Sequence, residues 1–181
     1  MILSYDQSES FLKVYSALMY YAYSDFEDID VKEFIESGFE KRLIARRHIF
    51  KNRNIIDEFI QDYNQANKER LATNELDLLA EIKNGIFRDF IVLNKNNEVY
   101  YIDYDKNIYK IAGIKDEPIE LYQYYPCLIR TAILNYGNRI ISDGLIEVKK
   151  LKYDSKASKR IFHDFENDIE VCLRSRIEKQ D

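Results

Sequence analysis

The stretch IFRDFIVLNKNNEVYYIDY, residues 86–104, decides how the middle of the chain folds. It holds two runs rich in β-branched and aromatic side chains, separated by Asn96 and Asn97, which favour a tight turn. A turn this short joins strands that are antiparallel neighbours. Because residues 90–93 are apolar at every position, the first strand should be covered on both faces. The stretch predicts a β-hairpin whose first strand lies at the centre of a sheet.

Toward the C-terminus, the strand pattern continues through three more runs. These strands are predicted at 108–114, 128–136 and 139–148, with turns at 105–107 and 137–138. Within the last run, Asp143 and Gly144 indicate a bulge or bend. The short turns predict an antiparallel, meandering sheet of about five strands over residues 86–148.

Toward the N-terminus, the apolar period is that of helices, as in Phe11, Tyr15, Leu18 and Ala22, which share one helix face. The helical period returns after residue 155. The order predicts an α+β fold with an N-terminal helical layer over 6–84, the sheet over 86–148 and a C-terminal helix over 155–179. Because the chain has only five glycines and two prolines and no visible linker, residues 1–181 are predicted to form one domain.

Composition and motifs exclude several classes of function. The chain has a net charge of -5, and its longest apolar run, residues 14–23, is about half the ~20 residues of a membrane span. The start of the chain lacks the pattern of a signal peptide, and the two cysteines form no disulfide framework, so a cytoplasmic protein without a membrane partner is expected. His48 and His163 lack metal-ligand spacing, and no phosphate-binding loop is present. The sequence therefore predicts no metal site and no cofactor.

Several segments resemble a family of uncharacterised bacterial proteins. The resemblance covers roughly residues 40–170 and is carried by residues 55–60, 88–93, 109–114, Tyr125-Pro126 and 131–146, the last reading TAILNYGNRIISDGLI. The family has a hairpin that runs from a threonine to DGLI and is followed by a helix. This chain departs from the family pattern at the turn 135–138 and at the basic stretch 149–160. The resemblance implies a bacterial intracellular protein and brings no activity, cofactor or catalytic residue.

One enzyme hypothesis has a mechanism. Asp143, Glu147 and Lys149 share parity on one predicted strand, so their side chains could converge on one face of the sheet. In nucleases with this spacing, acids hold Mg²⁺ over the scissile phosphate, and the lysine positions or activates a water. The spacing of Glu147 and Lys149 is common by chance. In addition, Asp143-Gly144 is explained more simply as a bulge or bend than as part of a metal site.

A second hypothesis concerns nucleic acid. Residues 41–53 hold six bases and no acid, and Arg42 and Arg46 sit one helical turn apart, with Arg47 and Lys51 close by. Such a basic ridge could bind phosphates. The competing interpretation, which the net negative charge favours, is a solvated helix face paired with the acidic N-terminal third.

Tyrosines in the connection before Pro126 give a third hypothesis. Tyr122, Tyr124 and Tyr125 could form a contact for a protein partner or for self-association, because tyrosine joins apolar area to a polar tip. They could instead cover one end of the sheet. By elimination, the sequence favours a non-catalytic intracellular binding or interaction domain. The alternative is a nucleic-acid-binding protein, with a Mg²⁺-dependent nuclease as its enzymatic form.

Overall fold

A computed structural model of the protein describes residues 1–67, 70–149 and 154–177. The helices are α1 (Tyr5–Ser24), α2 (Val31–Glu36), α3 (Phe39–Lys51), α4 (Ile55–Ala66), α5 (Thr73–Asn84) and α6 (Ser155–Ile177). The strands are β1 (Ile86–Lys95), β2 (Glu98–Ile102), β3 (Ile108–Ala112), β4 (Cys127–Tyr136), β5 (Arg139–Ser142) and β6 (Glu147–Lys149), with a 3₁₀ helix at Pro118–Leu121. The predicted α+β class is confirmed, with a helical layer first, a sheet next and a helix last. The final residues of the predicted C-terminal helix, 178 and 179, lie outside the described residues.

Local sequence explains where the first helices begin. Ser4 caps α1 in a capping box, in which its hydroxyl accepts from Gln7 N and the Gln7 side chain accepts from Ser4 N. Asp30 caps α2 by accepting from Glu33 N at 2.7 Å. The predicted apolar stripe of α1 is buried, which turns that face of the helix toward the rest of the molecule.

The sheet closes on itself, which corrects the predicted antiparallel meander. The strands pair in the order β1, β2, β3, β5, β4, and β4 pairs again with β1, so the five strands form a closed barrel, a ring of hydrogen-bonded strands. All of these pairings are antiparallel except β3 with β5, which pair in parallel through Ile111 with Ile140 and Ala112 with Ile141. Closure leaves these strands few unpaired edges. We refer to β1–β5 as the ring.

The sixth strand comes from a break in the run predicted as one strand over 139–148. Both halves border the same edge of β4: Ser142 lies opposite Ile133, and Glu147 lies opposite Arg130. Four residues, 143–146, therefore lie between these pairs where β4 has only two, 131 and 132, so the chain bulges at this point. Gly144 permits this bend with a φ of +80°, a conformation that glycine adopts without steric cost.

Among the residues that the structure describes, apolar side chains pack in three clusters. The ring interior holds Phe90, Val92, Tyr101 and Ile129. The outer face near β4 and β5 packs on the N-terminal helices, and the outer face of β1–β3 packs on α6 through Phe165. As expected, β1 is covered on both faces, because Phe90 points into the ring while Leu93 lies under α6. Within the described ranges, no helix combines the length and the apolar character needed to cross a bilayer.

Candidate functional site

The predicted basic and acidic residues meet between α3 and the bulge at 143–146. Arg46 is 0% exposed, and its Nη1 lies 3.4 Å from both carboxylate oxygens of Asp143. Its Nη1 also donates to the Leu145 carbonyl, and its Nη2 donates to Glu147 Oε1 at 2.6 Å. The guanidinium lies 4.8 Å from the centre of the Phe87 ring. A full positive charge is thus held inside the molecule by two acids, a carbonyl and an aromatic face.

Asp143 receives several donors besides Arg46. Tyr15 donates to it at 2.8 Å, Thr131 at 2.9 Å and the backbone N–H of Leu145 at 3.1 Å. Burial raises the pKa of the Asp143 carboxyl, while the charge of Arg46 and these hydrogen bonds act in the opposite sense. The carboxylate links α1, α3, β4 and the bulge, which is a structural task.

The three residues of the nuclease hypothesis do not form an open acidic site. Asp143 and Glu147 are brought together, but on the guanidinium of Arg46, and Glu147 also accepts from Arg47 at 2.5 Å. Lys149 ends β6 opposite Leu128 and pairs with neither acid in the described part of the chain. Among the residues described, no three His, Cys, Asp or Glu side chains are grouped to hold a metal ion. This geometry does not favour metal-dependent cleavage.

The basic residues on α3 do not make a shared exposed ridge. Arg46 faces the bulge, and Arg42, one turn earlier, faces the same way toward the ring. Arg47 is 52% exposed but paired with Glu147, while Lys51 is exposed at the end of the helix. Arg42 and Arg46 do lie one helical turn apart on α3, but the helix face that they share points toward the ring and not toward solvent.

The three tyrosines of the connection divide between interior and surface. Tyr122 is buried, and its hydroxyl hydrogen-bonds with that of Tyr101 inside the ring. Tyr125 donates to the Ile119 carbonyl at 3.2 Å and packs on the same cluster. Burial raises the pKa of Tyr125 to about 12. Only Tyr124, which is 37% exposed, offers a large part of its surface, so two of the three tyrosines cover an end of the ring.

A cavity of about 280 Å³ lies between α1 and the ring, next to this network. Its walls come from α1, from β3 and the segment after it, and from the start of the bulge. The apolar side chains of its lining are Leu12, Met19, Ile111, Ala112, Ile114, Pro118, Leu121 and Leu145. We call this space the α1–ring cavity. An apolar pocket with a few polar groups is the usual form of a small-molecule site.

Polar groups at the buried side of the α1–ring cavity already have partners. Tyr15 donates to Asp143, and Ser142 Oγ lies 2.9 Å from Thr131 Oγ1. Burial, together with the neighbouring charge of Asp143, raises the pKa of Tyr15 well above its ordinary value, so the phenol stays neutral. These groups can orient a ligand, but none is a free base or an activated nucleophile.

Charged residues lie toward the exposed side of the α1–ring cavity. Arg42 is partly exposed, its Nη2 donates to the Ile35 carbonyl at 3.1 Å, and no described carboxylate lies within ion-pair distance of it. Lys115, by contrast, is paired with Glu9 at 2.6 Å. Asp116 also lines this side and is exposed. Arg42 is therefore a cation whose charge is not offset by a direct partner within the described chain.

Sequence reasoning missed the cavity because its walls are far apart in sequence. Leu12 and Met19 share a face of α1, but any amphipathic helix shows that pattern. Asp143-Gly144 marked the bend without indicating that a cavity lies beside it. The cavity depends on the pairing of β3 with β5, which brings the segment after β3 against α1.

Comparison of this chain with protein-family models, with curated proteins and with solved structures found no match.

Proposed function

We propose that this chain is a non-catalytic binding domain that holds a small, mostly apolar ligand in the α1–ring cavity. The observation that carries the proposal is the cavity lining, in which apolar side chains surround a few polar groups. At about 280 Å³, the volume is near the lower end of the usual range for ligand sites. A small molecule is therefore the ligand that fits.

The state of the polar groups supports binding rather than catalysis. The carboxylate of Asp143 is surrounded by Arg46, Tyr15 and Thr131, and Ser142 is paired with Thr131. An acid–base catalyst needs a group whose proton is free to move to or from a substrate. Groups tied up in internal hydrogen bonds serve instead to shape the pocket.

The protein partner predicted from the tyrosines stays a prediction that now depends mainly on Tyr124, because Tyr122 and Tyr125 face the ring. The bacterial, intracellular setting stays an expectation from the family resemblance.

A titration with 1-octanol, followed by two-dimensional NMR of backbone amides, tests the proposal. We expect saturable shifts at Gly113 and Gly144, which line the cavity, and none at Gly38, which does not. Ser16 is an exposed residue of α1 that lines the cavity, so Ser16→Phe should fill its opening and abolish the shifts.

Gln61→Phe introduces the same phenylalanine side chain at an exposed position of α4, outside the cavity, and serves as the control. It should leave the titration unchanged. If octanol shifts amides all over the surface, or equally in the Ser16→Phe variant, the cavity is not a binding site.

A further inference from the structure

We propose that the α1–ring cavity selects amphipathic ligands with a carboxylate head, and that Arg42 is the residue that binds this head. The inference rests on the proposed function, since it names the ligand class for the same cavity.

Arg42 lines the cavity and carries a guanidinium. A guanidinium offers five N–H donors in a planar fork that matches a carboxylate. One of the Arg42 nitrogens donates to the Ile35 carbonyl, and no acid of the described chain pairs with this side chain. The bond to Ile35 fixes the side chain in place and leaves other donors for a ligand. Holding the fork in advance lowers the entropic cost of binding.

The other charges near the cavity are offset or screened. Asp143 is neutralised by Arg46, and Lys115 by Glu9. Asp116 is exposed, so water and salt screen its charge more strongly than the charge of the partly buried Arg42. The field that a bound head group meets is therefore dominated by Arg42.

Apolar and charged side chains line different parts of the cavity. Met19, Ile111 and Leu145 give the cavity buried apolar walls, and the polar groups beside them are already paired within the protein, whereas Arg42 is partly exposed and lacks an acidic partner in the described chain. A neutral apolar molecule would leave the Arg42 donors to water, and a compact polar anion would leave the apolar walls uncovered. A single carboxylate on an apolar body satisfies both.

Three probes that share one alkyl chain test the inference: octanoate, 1-octanol and octylamine, each titrated by calorimetry at pH 7. We expect octanoate to bind roughly tenfold tighter than octanol, a difference of about 1.4 kcal/mol, because a hydrogen bond between charged groups is stronger than one to a neutral hydroxyl. Octylamine should bind most weakly. Arg42→Gln should remove the preference for octanoate while octanol binding persists, and Arg42→Lys should keep part of it.

The control is Arg70→Gln, which removes the same charge at an exposed position outside the cavity and should leave the preference intact. Unfolding midpoints of the variants show whether each remains folded. Equal binding of octanoate and octanol, unaffected by Arg42→Gln, would overturn the anion assignment while leaving the cavity as a binding site. Tightest binding of octylamine would show that Asp116 dominates and would also overturn it. If none of the three binds, the proposed function fails as well.

Discussion

Arg46 is the residue whose removal should cost the most stability at the interface between helices and ring. Arg46→Met keeps much of the side-chain volume but leaves Asp143 as a buried carboxylate without its counter-charge. Breaking a buried pair in this way costs about 3–5 kcal/mol. We expect a loss of that order in the free energy of unfolding, measured by urea denaturation.

Arg47→Met is the matched comparison for Arg46→Met. It removes a partner of the same Glu147, but Arg47 is half exposed, so the loss should stay below about 1 kcal/mol. Similar losses in the two variants would show that the Arg46 pair is not buried in solution.

This network illustrates what a sequence can tell about individual residues. Arg42 and Arg46 lie one helical turn apart on α3, whereas Asp143 and Glu147, predicted to share one strand, are separated by the bulge and meet only because both contact Arg46. Because charged residues are rarely buried, the sequence predicts that these arginines are exposed to solvent. Arg46 is buried because α3 packs against residues about a hundred positions later in the chain, a contact that no local pattern indicates.

Asp103 should make the stability of the β2–β3 turn depend on pH. Burial by itself would raise its pKa, but hydrogen bonds from Asn107 and Tyr109 and the charge of Arg88 lower the pKa below its ordinary value. Because the folded pKa lies below the unfolded one, the carboxylate stabilises the fold fully above about pH 4. That contribution is lost as the pH falls through the folded pKa.

The expected result is that Asp103→Asn lowers the unfolding free energy by about 2 kcal/mol at pH 7 and that its difference from the parent shrinks below about pH 4. Urea titrations at several pH values measure this. Asp105→Asn, at an exposed position in the same turn, should change stability little. A difference for Asp103→Asn that does not vary with pH would contradict the role of the charge.

At the scale of elements, α6 is held on the ring mainly by Phe165, which packs on Leu93 and lies with its ring centre 5.4 Å from that of Tyr100. Phe165→Ala should lower the free energy of unfolding by about 3 kcal/mol. It should also increase hydrogen exchange in α6. Glu166→Ala, at the exposed neighbouring position, should do neither. Unchanged stability in the Phe165 variant would mean that α6 does not cover this face.

Most elements follow from local patterns, whereas their closure into a ring does not. Apolar residues on both parities of β1 predict cover on both faces, which the structure provides from the ring interior and from α6. An open sheet and a closed ring show the same alternation along each strand, so the return of β4 to β1 leaves no local mark. The parallel contact of β3 with β5 spans only two residue pairs, too few to be seen in the sequence.

At the scale of the whole molecule, the helices and the ring are joined by side-chain packing and by backbone hydrogen bonds. Ala112, Leu134 and Ile141 of the ring belong to the apolar cluster of the N-terminal helices. The N-terminus is joined to the end of β3, because Leu3 N donates to the Gly113 carbonyl at 2.9 Å. Shared contacts of this kind favour one cooperative unfolding transition, which is what the prediction of a single domain requires.

Native-state hydrogen exchange tests this cooperativity. Leu18→Ala creates a cavity in the helical cluster and should cost about 3 kcal/mol. If the molecule unfolds as one unit, the slowest amides of β1 and β4 should exchange roughly a hundredfold faster, as should those of α1. The reciprocal variant Ile129→Ala, inside the ring, should accelerate α1 in the same way. Acceleration confined to the half that carries the substitution would show that helices and ring unfold separately, because the Arg46–Asp143 contact between them would then be too weak to couple the two.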